Sequence, residues 1–99
     1  MSKYEVRKTE EFDAWIKGLK DTVAKKRILK RIMKTATGHF GDTEPVGGRV
    51  SELRFMFGPG YRVYYTIKNN EIVFVLGGGT KKTQQADIDT AKALAAGLP

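Results

Sequence analysis

The sequence contains no cysteine and a single histidine among its 99 residues. Without thiols there is no disulfide framework, no thiolate metal site and no cysteine nucleophile, and one imidazole cannot build a His-rich metal centre. No run of about 18 apolar residues occurs, so no segment reads as a membrane-spanning helix. Met1 to Glu10 is charged where a secretory signal needs an apolar stretch. Gly77-Gly78-Gly79 lacks the Gly/Lys spacing of a Walker loop or a dinucleotide fingerprint, which leaves no nucleotide cofactor implied. The expectation is a cytoplasmic protein with no metal, cofactor or membrane association. Acid is also in short supply, with 11 Asp and Glu against 18 Lys and Arg, a net charge of +7 and a pI near 9.8. Such an excess favours a phosphate backbone or an acidic protein partner, although Lys and Arg also serve solubility in a small chain.

A chain of this length holds one core, so residues 1–99 are expected to form one domain. Tyr4 to Lys8 alternates as a strand does, and Thr9 is placed to cap a helix beginning at Glu10, with Phe12, Trp15, Ile16 and Leu19 on one face. Asp21-Thr22 caps a second helix whose apolar stripe is Ala24, Ile28, Leu29, Ile32, Met33 and Ala36, ending at Gly38. Its other face, from Lys25 to Lys34, is basic, which describes either a solvated surface or one that meets RNA or a partner. His39 to Arg49 shows no periodicity and reads as a loop. Val50–Phe57, Tyr61–Ile67 and Glu71–Leu76 then read as an antiparallel meander, the glycine run ends it, and Thr83 to Ala95 forms a short last helix closed by Gly97.

Side chains alternate across a sheet, so Leu53, Phe55 and Phe57 share a face with Tyr61, Val63, Tyr65 and Ile67. With that face on the helices, Arg54, Arg62 and Tyr64 would be left together in solvent. A three-residue turn at Gly58 to Gly60 sets Arg54 across from Tyr64, with Arg62 diagonal to it. Guanidiniums bind phosphate bidentately and a phenol offers a stacking platform, a combination suited to single-stranded RNA. The same alternation equally describes an ordinary one-sided sheet. Lys81 and Lys82, just after the glycine run, would extend the basic patch near a helix start. Trp15 belongs to the core, His39 to the surface, and Asp87 has an ordinary role at a helix N-terminus.

The order of elements, with Glu52-Leu53-Arg54, Gly58-Pro59-Gly60-Tyr61-Arg62-Val63-Tyr64-Tyr65 and Leu76-Gly77-Gly78-Gly79-Thr80-Lys81-Lys82-Thr83-Gln84-Gln85-Ala86-Asp87-Ile88, resembles the RelE/ParE toxin superfamily. Within it the likeness is to the HigB-like or phage Gp49-like addiction module killer proteins. The resemblance implies an α+β fold: a small antiparallel sheet, two N-terminal helices packed on one face, and a short C-terminal helix. It further implies a toxin of a type II toxin–antitoxin system, cleaving mRNA on the ribosome by metal-independent attack of a 2′-hydroxyl on the adjacent phosphate. The implied partner is a cognate antitoxin, commonly of helix-turn-helix type, with the toxin a monomer alone and part of a hetero-oligomer when neutralised. Arg62 falls where the family's strand arginine holds the scissile phosphate, and Lys81 where another basic residue stands. Arg54 and Lys82 join them as catalytic candidates, with Tyr64, Glu52 and Asp87 as substrate-binding candidates. Asp87 replaces the family's C-terminal tyrosine, so the general base would come from Glu52, Asp87, Lys81, Lys82 or Tyr64. The same fold also serves ParE-like inhibitors of DNA gyrase and could serve an inactive binding module.

Overall fold

The computed structural model describes residues 2–99. Strand β1 (Glu5–Lys8) leads into helices α1 (Glu10–Gly18) and α2 (Thr22–Lys34), followed by strands β2 (Thr43–Gly47), β3 (Val50–Arg54), β4 (Tyr61–Lys68) and β5 (Ile72–Thr80) and helix α3 (Gln84–Ala96). Both helix starts are capped as the sequence indicates. Thr9 Oγ1 accepts from the Phe12 amide at 3.1 Å, and Asp21 Oδ1 accepts from Ala24 at 3.0 Å, each cap contributing about 1 kcal/mol. The Thr9 hydroxyl also lies 3.1 and 2.9 Å from the Val75 and Leu76 carbonyls, which ties the start of α1 to the sheet.

The five strands lie in the order β1-β5-β4-β3-β2, antiparallel except that β1 runs parallel to β5. One face packs on α1 and α2, where Leu53, Phe55, Tyr61, Val63, Tyr65, Val73 and Val75 meet Phe12, Ile16, Ile28 and Ile32. Helix α3 covers the other face, setting Ile88, Ala91 and Ala95 against Val50, Tyr64 and Leu76. Burying each such large apolar side chain contributes about 1.5–3 kcal/mol before the entropy of ordering it.

Four features depart from the sequence reading. The aperiodic segment after His39 contains β2, an edge strand in which the missing N–H of Pro45 is tolerated because that edge has no further partner. Its hairpin with β3 turns through Gly48 and Arg49, both left-handed at φ 60° and 63°, as a tight hairpin of the right twist demands. Strand β5 does not stop at the glycines but runs through them to Thr80. A Cβ on Gly78 would lie 2.4 Å from the Trp15 ring, and one on Gly79 would lie 1.8 Å from Asp87 Oδ2, so the glycines let helices press on both faces. The β3–β4 connection spans residues 55–60, which pairs Arg54 with Arg62 and Glu52 with Tyr64. That shift of two residues keeps every side chain on its expected face but changes its partner. Finally, the face expected to be open to solvent lies under α3.

Candidate functional site

Helix α3 removes most of the expected polar face from water. Tyr64 is 0% exposed, Glu52 3% and Arg62 8%. Tyr64 is therefore no stacking platform for a base, because its ring is packed beneath α3. Its hydroxyl is buried without a hydrogen-bond partner. Burial pushes the phenol well above its ordinary pKa, with the nearby charges of Glu52 and Asp87 adding to the rise. Glu52 Oε1 accepts from Gln84 Nε2 at 2.8 Å and stands 3.9 Å from Arg62 Nε.

Arg62 is held by the backbone: Nη1 donates to the Gly60 and Tyr61 carbonyls, each at 3.1 Å. Its Nε is buried and unpartnered. The guanidinium forms one wall of a surface hollow of about 360 Å³ shared with Lys81, Met56 and the Gly58-Pro59-Gly60 turn. Lys81 reaches this position because its amide donates to the Gly60 carbonyl at 2.8 Å, joining the end of β5 to the β3–β4 connection. No carboxylate lines the hollow, so two cations share a concave surface whose nearest acid is the buried Glu52, 3.9 Å from Arg62.

Arg54 lies beside Arg62 in the sheet but serves a different surface. Its Nη2 and Nη1 pair with Asp42 and Glu44, both at 2.7 Å, and it borders a second hollow with Arg27 and Arg31. The hydrogen bond from Arg54 holds the Asp42 carboxyl below its usual pKa. Arg31 donates to the carbonyls of Arg54, Phe40 and Asp42 and stacks on Phe55, while Arg27 lies 3.9 Å over Phe57. Part of the basic face of α2 therefore clasps the β3–β4 connection rather than standing free.

The structure thus brings Arg62 and Lys81 together and leaves Arg54 neutralised beside them. Lys82 is exposed on the turn that follows β5 and does not line the Arg62 hollow. Asp87 accepts from the Thr83 hydroxyl and lines a separate crevice beside Trp15 and Gly78. His39 bonds to Thr37 at the surface. Asp42, Glu44 and Gln84 were not singled out from the sequence. Asp42 and Glu44 lie in the aperiodic segment, and Gln84 meets Glu52 only once α3 docks. A hollow of about 680 Å³ between β1 and α2 holds none of the candidate residues.

The fold is that of a known toxin. The free-state structure of a double-arginine variant of the Escherichia coli toxin RelE superposes with a TM-score of 0.72, covering 95% of this chain and 99% of that one at 18% identity. The family itself is set by sequence: the chain belongs to the family described as phage derived protein Gp49-like, which matches residues 14–96. A Haemophilus influenzae relative, described as an uncharacterized protein, is 43% identical over 91 residues, 92% of each chain.

Proposed function

We propose that the chain is the toxin of a type II toxin–antitoxin pair and cleaves mRNA on the ribosome, with Arg62 and Lys81 holding the scissile phosphate. The observation that carries this reading is the hollow in which those two cations meet with no carboxylate in its lining, the nearest acid to Arg62 being Glu52 at 3.9 Å. Membership of the Gp49-like family and the RelE-like fold support it. In the reaction the 2′-oxygen forms a bond to phosphorus while the bond to the 5′-oxygen breaks, leaving a cyclic phosphate and a 5′-hydroxyl. The 2′-proton passes to solvent or to a ribosomal group, and the leaving oxygen takes one up. Charge builds on the phosphoryl oxygens in the transition state, where a guanidinium already oriented by two carbonyls stabilises it without reorganising. Lys82 adds a cation at the approach, and Arg54 shapes the loop through Asp42 and Glu44. The net charge of +7 suits an antitoxin with an acidic neutralising segment. The apolar hollow beside α2, lined by Lys3 and Lys8 as well as Glu5, offers such a segment apolar contact.

Mapping RNA 5′ ends after brief expression tests the reading. Cuts within translated transcripts are expected from the wild type, with a loss on the order of 100-fold in Lys81→Ala and Arg62→Lys. Lys81 is exposed, so its variant tests chemistry rather than folding. Unchanged cleavage in both variants would remove these residues from the mechanism. A second reading, a ParE-like gyrase inhibitor, is favoured by the lack of any carboxylate or imidazole among the residues lining the hollow. DNA damage with intact transcripts would select it, and normal growth would select an inactive binding module.

A further inference from the structure

At the far end of α3 lies a second cationic hollow, of about 490 Å³, bordered by Arg49, Lys68, Lys92, Thr66 and Asn69. We propose that it binds the phosphate backbone of structured RNA and anchors the chain at a point distinct from the Arg62 hollow. The proposal rests on the reading of the chain as RNA-directed and adds a site that the cleavage chemistry does not require.

Three observations converge there. Arg49, Lys68 and Lys92 come from a hairpin turn, the end of β4 and the last turns of α3, and no carboxylate lines the space. None of the three forms a salt bridge among the described residues, whose ion pairs involve Arg7, Arg54 and Arg62. The backbone at Arg49 takes φ 63°, a conformation unfavourable for a residue with a Cβ. The buried Thr66 hydroxyl donates to its carbonyl at 2.6 Å. Lys92 lies over the same turn, since a Cβ on Gly48 would come within 3.0 Å of its Cγ and one on Gly47 within 3.1 Å of its Nζ.

The lining also indicates the class of ligand. No aromatic ring borders the hollow, so bases have nothing to stack on, and recognition falls to the phosphates and sugars of a helical backbone. An acidic peptide would want an apolar anchor, and the lining supplies chiefly Ile67 and two alanines. Arg62 and Lys68 stand near opposite ends of β4, six residues apart. At about 3.3 Å per residue the two hollows are roughly 20 Å apart, so one can grip a structured RNA while the other addresses a different strand.

The test is binding of the full chain to a fluorescently labelled RNA hairpin across a salt series. Replacing Arg49, Lys68 and Lys92 together by Gln should weaken binding roughly tenfold or more and make the slope of log K against log salt shallower by about 3. A charge-preserving variant, Arg49→Lys with Lys68→Arg and Lys92→Arg, should keep the wild-type slope. Should the triple Gln variant melt early, Lys68→Gln and Lys92→Gln singly should each remove about 1 from the slope. An unchanged slope in these variants, or an equal loss of binding to polyglutamate, overturns the proposal. A wild type that binds with the full slope but cuts no transcript leaves this site standing and removes the nuclease reading. Intact cleavage with an unchanged slope removes this site alone.

Discussion

Replacing Tyr64 by Phe should leave the protein as stable as before or more so, which is unusual for a substitution at a wholly buried side chain. Tyr64 is 0% exposed and its hydroxyl has no hydrogen-bond partner. An unpaired buried hydroxyl costs about 1–3 kcal/mol of desolvation, whereas removing a single oxygen leaves a void too small to cost as much. The expected change at neutral pH therefore lies between zero and about 2 kcal/mol of added stability. Alkali should widen the difference. Burial raises the phenol's pKa, so the folded chain keeps a proton that the unfolded chain releases near pH 10. Stability present below that pH is lost as pH rises from about 10 toward the folded value, and the Phe variant has no such loss. Urea unfolding at pH 7 and about 10.5 measures both effects. A loss above about 1 kcal/mol at pH 7 would show that the hydroxyl has a partner that stabilises the fold. If the fold were intact but growth arrest abolished, the phenol would have a direct part in function that its burial denies.

Two further substitutions probe the same packing. Glu52→Ala should cost about 3–5 kcal/mol, because it leaves the buried Arg62 guanidinium without its neighbouring charge and Gln84 without its acceptor. Glu52→Gln should cost less, since an amide oxygen still accepts from Gln84, and similar losses for the two in urea titrations would contradict this account. Gly78→Ala should cost about 1–3 kcal/mol through its clash with Trp15, whereas Gly77→Ala, with nothing within 4 Å of the added carbon, should be neutral or mildly stabilising. Equal melting temperatures for these two variants would refute the close approach of α1.

What could be read from the sequence was local. Thr9 and Asp21 announce their helices because a cap acts within three residues, and the faces of β3 and β4 follow from alternation alone. Strand β2 escaped because Pro45 and Gly47 disfavour strand and its pairing with Glu52 and Leu53 is made by chain eight to ten residues away. The register of Arg54 was missed because the β3–β4 connection is shaped by Arg27 and Arg31 from α2, which no turn rule contains. Helix α3 was legible, but its seat on the sheet was not. Its contact face is Ile88, Ala91 and Ala95, too small a stripe to declare which surface it covers. At the site, Arg62 and Lys81 were both marked by the sequence, while of the acids that neutralise Arg54, Glu44 lay in the unrecognised strand and Asp42 just before it.

The two neighbouring arginines of the sheet show why one of them is read as functional. Arg54 meets carboxylates at 2.7 Å on both sides, so its donors are met and its charge is balanced within the protein. Arg62 is more deeply buried, yet its nearest acid is 3.9 Å away and already accepts from Gln84. Its hydrogen-bond partners are the neutral carbonyls of Gly60 and Tyr61. Neutral partners orient a guanidinium without balancing it, and Arg does not escape the cost of burial by losing its proton. A charge kept in that condition beside Lys81, with an opening to solvent, is stabilised by any anion that enters. The energy withheld from folding is then available to bind charge that develops on a phosphate, and a better salt bridge from Glu52 would strengthen the fold at the expense of the site.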